Sequence, residues 1–247
     1  MSKIALVTGA SRGLGLETAR RLGRRDGYTV IVGAREAAAG ERAVQELRDD
    51  GVDAEMVILD VTSPPSVADA AGHVGERHGR LDVLVNNAGI LPEATEATDN
   101  GTVDVDMFRR TFDTNVFGAV AVAQRFLPLL RRSPAGRIVN VSSTMGSLAD
   151  QVDPDSPYYN VVVPAYQGSK AALNAFTIAL SKTLADTDIK VNSVCPGWLQ
   201  TGLGGPDNRA AAPTTAAEGA EIVVEMACLP DKGPTGSFVD RDGPVAW

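Results

Sequence analysis

Thr8-Gly9-Ala10-Ser11-Arg12-Gly13-Leu14-Gly15 stands between an apolar run, Ile4 to Thr8, and a stretch of helical composition, Leu14 to Arg24. Glycines at the spacing Gly-x3-Gly-x-Gly let the chain turn tightly and let a charged ligand approach the backbone. The first N–H groups of the helix that follows have no partner within it, and the helix dipole adds positive potential at that end. The loop therefore suits a phosphate. A glycine triad alone suits an ordinary strand-to-helix turn equally well, so its meaning depends on what surrounds it.

What surrounds it is a regular alternation. Further short apolar runs, rich in β-branched residues, lie at Thr29 to Val32, Ala54 to Leu59, Leu81 to Val85, Arg137 to Val141, Lys190 to Cys195 and Gly236 to Val239, giving seven predicted strands. Between them, Glu36 to Asp49, Pro65 to Glu76, Asp104 to Leu130, Ala165 to Thr183 and Thr214 to Ala227 have helical composition. Alternating strands and helices predict a doubly wound α/β fold, a parallel sheet covered by helices on both faces. No linker, repeat or low-complexity tract interrupts the series, so residues 1–247 read as one domain. Two stretches, 146–164 and 202–213, are expected to be irregular loops. Both follow the carboxyl ends of strands, where such sheets bind ligands.

Composition narrows the partners. The formal net charge is -8, from 23 basic and 31 acidic residues, which argues against nucleic acid and against anionic lipid surfaces. Any anion must then be held by a local cluster. No apolar run approaches membrane-spanning length, and the apolar stretch Ile4 to Val7 is too short for a signal peptide. Cys195 and Cys228 form neither a CxxC nor a cluster with histidine, so a metal site is not expected. Both read as free thiols of a reducing compartment, and the expected location is the cytoplasm. His73 and His78 are expected on a solvated helix.

At the end of the second predicted strand, where an acid would accept from the 2′-hydroxyl of a dinucleotide, the chain reads Val32-Gly33-Ala34-Arg35. A guanidinium there suits a 2′-phosphate, and Arg12 in the glycine loop can reach the same corner, which favours NADP over NAD. Asp60, in Leu59-Asp60-Val61, is placed to accept from the adenine amino group. Asn86-Asn87-Ala88-Gly89 closes the fourth strand, with a mixed structural and cofactor-facing role expected.

Tyr166 and Lys170 are four apart in a helical stretch and share one face. A phenol, ordinarily ionising near pH ~10, exchanges protons poorly at neutral pH until a nearby cation favours its anion. Ile138-Val139-Asn140-Val141-Ser142-Ser143 ends a buried strand in two hydroxyls. Ser143 is the better placed to donate to a carbonyl oxygen, while Ser142 suits a backbone bond in the turn. Asn115 interrupts an apolar helical stretch and, if buried, must find partners.

Taken together, these residues resemble the short-chain dehydrogenase/reductase family, from Ala5 to Trp247: the Thr-Gly-x3-Gly-x-Gly loop, Asn86 to Gly89, Asn115, Ser143, Tyr166-x3-Lys170 and Pro196-Gly197. The closer likeness is to its NADPH-dependent carbonyl reductase branch, which includes plant menthone-type reductases. Cys195-Pro196-Gly197-Trp198 with Thr201 and Gly204-Gly205, and Leu229-Pro230-Asp231 through Gly233-Pro234-Thr235-Gly236 to Trp247, carry it. The resemblance implies a Rossmann-type sheet of strand order 3-2-1-4-5-6-7. It implies that Tyr166 is the general acid, that Lys170 lowers its pKa and binds the nicotinamide ribose, and that Ser143 orients the carbonyl. Asn115 would hold a water linking Lys170 to solvent. The cofactor would be NADP(H), held by Gly9, Ser11, Arg12, Gly13, Leu14, Gly15, Arg35, Asp60, Val61, Asn87, Ala88, Gly89, Tyr166 and Lys170. Thr201 and the backbone around Pro196-Gly197 would fix its carboxamide.

Two features depart from that branch. Thr201-Gly202-Leu203 stands where relatives often have Thr-Asp-Met. Ser143 and Tyr166 are 23 residues apart, a link between those of tetrameric and monomeric relatives, which leaves monomer and homo-oligomer both open. The expected reaction is NADPH-dependent reduction of a ketone, aldehyde or quinone to an alcohol. Trp198, Tyr158, Tyr159, Met145 and Leu203 offer an apolar wall and so point to a lipophilic substrate. The alternatives are oxidation of a secondary alcohol by the same residues, and an NADP(H)-sensing protein without turnover.

Overall fold

The computed structural model describes residues 2–25, 27–96 and 104–247. Strands β1 (Lys3–Thr8), β2 (Tyr28–Ala34), β3 (Ala54–Ile58), β4 (Val83–Asn86), β5 (Arg137–Val141), β6 (Lys190–Val194), β7 (Phe238–Asp240) and β8 (Gly243–Pro244) form one sheet, ordered β3-β2-β1-β4-β5-β6-β7-β8. The first seven run parallel in the order expected, and β8 adds a two-residue antiparallel edge, with Val239 opposite Pro244.

Residues alternate between faces along each strand. Ala5 and Val7 of β1, with Val30, Val32, Val83, Val85 and Val139, pack beneath α1 (Gly13–Gly23), α2 (Ala37–Asp49) and α9 (Ala216–Ala227). Ile4 and Leu6, with Ile31, Leu84, Ile138 and Val191, face α3 (Pro64–His78) and α5 (Ala119–Leu130). Burial on both faces explains why these strands read as unbroken apolar runs. β1 pairs with β2 on one side and β4 on the other, so the crossovers diverge there and open a crevice at the carboxyl ends of the strands.

Three expectations need correcting. The stretch Asp104 to Leu130 is not one regular helix: α4 (Val105–Phe112) passes through a π-helical turn, Asp113–Gly118, into α5. The loops 146–164 and 202–213 contain short helices, α6 (Leu148–Val152) and α8 (Gly205–Ala211). Ser147 starts α6 by accepting from Asp150 N–H at 3.1 Å. His73 is solvated, but His78 is half-buried against Glu55. The remaining helix, α7 (Pro164–Thr183), follows the first of those loops. Among the described residues no helix is long and apolar enough to cross a membrane.

Candidate active site

The glycine loop is stitched to the end of β4. Thr8 Oγ1 accepts from the N–H groups of Asn87 and Ala88, each at 3.0 Å, and Asn87 Nδ2 donates to Thr8 O at 2.7 Å. Gly9 and Gly13 adopt φ values of 64° and 56°, a left-handed backbone that favours glycine. A Cβ on Gly15 would lie 2.5 Å from Asn87 Nδ2 and 2.7 Å from Gly9 O, so loop and helix pack closer than any side chain allows. Asn87 is thus first a brace for the loop.

Helix α1 begins at Gly13 with Arg12 as its N-cap and no side-chain cap. Its first-turn amides, beside Ser11 and Leu14, suit the oxygens of a diphosphate. The strand register places Thr8 beside Gly33, so Arg12 and Arg35 stand in loops leaving adjacent strands. Both are exposed, and among the described residues neither enters an ion pair. This donor set of free amides and two guanidinium groups fits a phosphorylated dinucleotide. Asp60 Oδ1 accepts from Thr62 N–H at 3.0 Å and from its hydroxyl at 2.8 Å. Val61 is buried under the π-helical turn, 2.7 Å from where a Cβ on Gly118 would sit. On the opposite side, Thr201 lies against Gly13, 3.5 Å from its notional Cβ. Gly197, with φ of 89°, turns the chain between β6 and Thr201.

Tyr166 and Lys170 occupy the first turns of α7, and both are buried, with Lys170 Nζ 5.4 Å from the Tyr166 ring centre. Burial pushes the Tyr166 phenol above its ordinary pKa, as would negative charge on the neighbouring Cys195 sulfur, while hydrogen bonding with the Ser143 hydroxyl opposes the rise. Burial also draws Lys170 down to about 8. Its ammonium donates to Val141 O at 2.8 Å, at the end of β5. Ser143 caps the 3-10 turn Thr144–Gly146, its Oγ accepting from Met145 N–H at 3.2 Å. That turn lies directly on α7: a Cβ on Gly146 would meet the Lys170 carbonyl carbon and Cβ, each at 2.7 Å. Glycine here sets the spacing between the Ser143 hydroxyl and the Tyr166–Lys170 pair.

Asn115 lies in the π-helical turn and ties it to two other segments. Its Oδ1 accepts from Ile90 N–H at 2.8 Å, and its Nδ2 donates to Ile90 O and Ser169 Oγ, both at 3.0 Å. Local widening of the helix aims this side chain at two other segments. Gly89 lies between Asn115 and Lys170, its notional Cβ 3.4 Å from Asn115 Oδ1 and 3.7 Å from Lys170 Nζ. The residues singled out in the sequence therefore converge at the carboxyl edge of β1, β4, β5 and β6. Around the mouth, Leu148, Tyr159, Trp198 and Leu203 are exposed, and Trp198 Nε1 donates to Asn208 Oδ1 at 3.2 Å.

The sequence reading missed three residues. Glu93 accepts from two backbone amides of α7, and Gln167 ties that helix to Gln151 at 2.6 Å and to Val161 O at 2.8 Å. Asn174, beneath Gly146, has a buried Oδ1 with no partner among the described residues. None carries a motif; only the spatial neighbours reveal them.

The family described as short chain dehydrogenase matches residues 3–212. A short-chain dehydrogenase of Penicillium roqueforti is 34% identical over 229 residues, covering 91% of this chain and 88% of its own. A (-)-isopiperitenone reductase of Mentha piperita is 30% identical, covering 100% of this chain and 98% of its own. The crystal structure of an NADPH-bound carbonyl reductase from chicken fatty liver superposes with a TM-score of 0.83 at 29% identity, covering 100% of this chain and 99% of that one. With its sheet order, glycine loop and Ser143–Tyr166–Lys170 grouping, this chain belongs to the short-chain dehydrogenase/reductase family of oxidoreductases, in its carbonyl-reductase-like branch.

Proposed function

We propose that the protein reduces a ketone, aldehyde or quinone carbonyl to an alcohol with NADPH. The observation that carries this reading is the convergence of Tyr166, Lys170 and Ser143 beside a glycine loop that contains Arg12, with Arg35 in the loop leaving the adjacent strand. Gly9, Ser11, Gly13, Leu14 and Gly15 would hold the diphosphate, Arg12 and Arg35 the 2′-phosphate, and Asp60 with Val61 the adenine. Asn87, Ala88 and Gly89 would line the middle of the cofactor, and Pro196, Gly197 and Thr201 its carboxamide. When bound, the dihydronicotinamide supplies hydride to the carbonyl carbon.

The chain's own residues manage the oxygen. Ser143 donates to it and withdraws charge, and Tyr166 gives its phenolic proton to the alkoxide. Burial keeps the Tyr166 phenol protonated but also raises its pKa away from neutrality, so proton transfer relies on a cation beside the phenolate as the proton leaves. Lys170, largely protonated at neutral pH even at a pKa of about 8, stabilises the phenolate left behind. Asn115 Oδ1 accepts one bond from Ile90 and has a second lone pair, enough for a water that returns the proton. The exposed apolar side chains Trp198, Leu203, Tyr159 and Leu148 favour a lipophilic substrate. A panel of ketones, aldehydes and quinones, run with NADPH and NADH in parallel, tests this reading. Turnover that prefers NADPH is expected; saturable NADPH binding without turnover of any carbonyl would overturn it.

A further inference from the structure

The first turn of α7 is capped from outside itself. Its N-cap residue, Val163, offers no side-chain acceptor, and Pro164 has no N–H. The next two amides, of Ala165 and Tyr166, are orphan donors of the kind that every helix start must satisfy. Both go to one carboxylate: Ala165 N–H donates to Glu93 Oε1 at 2.9 Å and Tyr166 N–H to Glu93 Oε2 at 2.8 Å. Glu93 lies in a 3-10 turn, Pro92–Ala94, on the segment that continues from Asn86–Gly89. The same segment is gripped at Ile90, through both N–H and C=O, by Asn115. One short piece of chain thus joins the β4 loop to the backbone of Tyr166.

We infer that Glu93 is a positioning residue, whose carboxylate fixes the Tyr166 phenol relative to the loop Asn86–Gly89 and hence to the reacting carbonyl. The inference rests on the reductase reading. A carboxylate is well suited to the task, since its two oxygens accept two adjacent amides at once and its charge complements the helix start. Glutamine keeps one acceptor oxygen and loses the charge, and alanine loses both.

The test compares wild type, Glu93→Gln and Glu93→Ala in the full-length chain. Steady-state kinetics with NADPH and [4-²H]NADPH are paired with hydrogen exchange at the Ala165 and Tyr166 amides and with NADPH affinity by fluorescence. Glu93→Ala is expected to lose about tenfold to a hundredfold in kcat, the scale of a misplaced catalytic group, with NADPH affinity within about twofold of wild type. Its primary isotope effect rises as hydride transfer slows, the two amides exchange faster, and Glu93→Gln falls between alanine and wild type. Wild-type kcat in Glu93→Ala would overturn the inference. So would a loss of kcat matched by an equal loss of NADPH affinity, the mark of a general structural role. If wild type turns over no carbonyl, the reductase reading fails first. In that case faster exchange at the two amides in Glu93→Ala upholds the clamp, and unchanged exchange overturns it.

Discussion

Replacing Lys170 by methionine should make the cofactor-free protein more stable at neutral pH while abolishing its chemistry. The lysine is buried, and burial draws its pKa from 10.5 to about 8. Each pH unit of that depression corresponds to ~1.36 kcal/mol, so holding the ammonium in the fold below pH 8 costs roughly 3 kcal/mol. Methionine removes that cost and fills a similar volume, but it loses the bond to Val141 O, a sacrifice of about 1 kcal/mol. A net gain of about 2 kcal/mol follows at pH 7, visible as a Tm higher by about 4–8 °C. The sign of the pH dependence follows from linkage. Between pH 8 and 10.5 the unfolded lysine keeps its proton and the folded one releases it, so wild-type stability rises relative to the variant. The advantage of Lys170→Met is therefore largest below pH 8 and shrinks by up to ~1.36 kcal/mol per unit above it. Urea unfolding of both proteins at pH 7, 8, 9 and 10 reads this directly. A stability difference that stays constant across that range would refute a lysine titrating low.

Arg35→Asp places a carboxylate where a 2′-phosphate would bind, so kcat/KM with NADPH should fall about tenfold to a hundredfold relative to NADH. An unchanged ratio would sink the assignment of Arg35. Gly146→Ala adds a methyl group 2.7 Å from the Lys170 carbonyl carbon and 2.8 Å from Ala171 N, and one of the two segments must yield. The expected cost is about 1–3 kcal/mol of stability in urea, with kcat reduced more than NADPH affinity. A variant with wild-type kcat and stability would show that this contact does not set the spacing of the site.

How much of this was legible in the sequence depended on the range of each signal. The strands were readable because residues such as Val83, Leu84 and Val85 are apolar on both faces, and the helices between them require parallel crossovers. Tyr166 and Lys170 were readable because helical spacing alone places them on one face. The order of the sheet came from the resemblance, since no strand's residues specify its neighbours. β8 has two residues and α6 five, too few for any periodicity to register. Asn115, in the π-helical turn, finds its partner at Ile90, 25 residues away in sequence. Among the described residues Glu93 bonds only to backbone amides, 72 and 73 residues distant, and every residue type but proline supplies those alike. Its partners leave no trace in the sequence.

The central claim is that Tyr166 protonates a carbonyl oxygen as hydride reaches its carbon. Its most direct test is transfer of deuterium from [4-²H]NADPH, measured by mass spectrometry of the alcohol formed by wild type and by Tyr166→Phe under identical NADPH saturation. Deuterium should appear on the carbinol carbon of the wild-type product, and its rate of appearance should fall about 10²–10⁴-fold in Tyr166→Phe, the range expected for loss of a general acid. Equal rates in the two proteins would contradict the account.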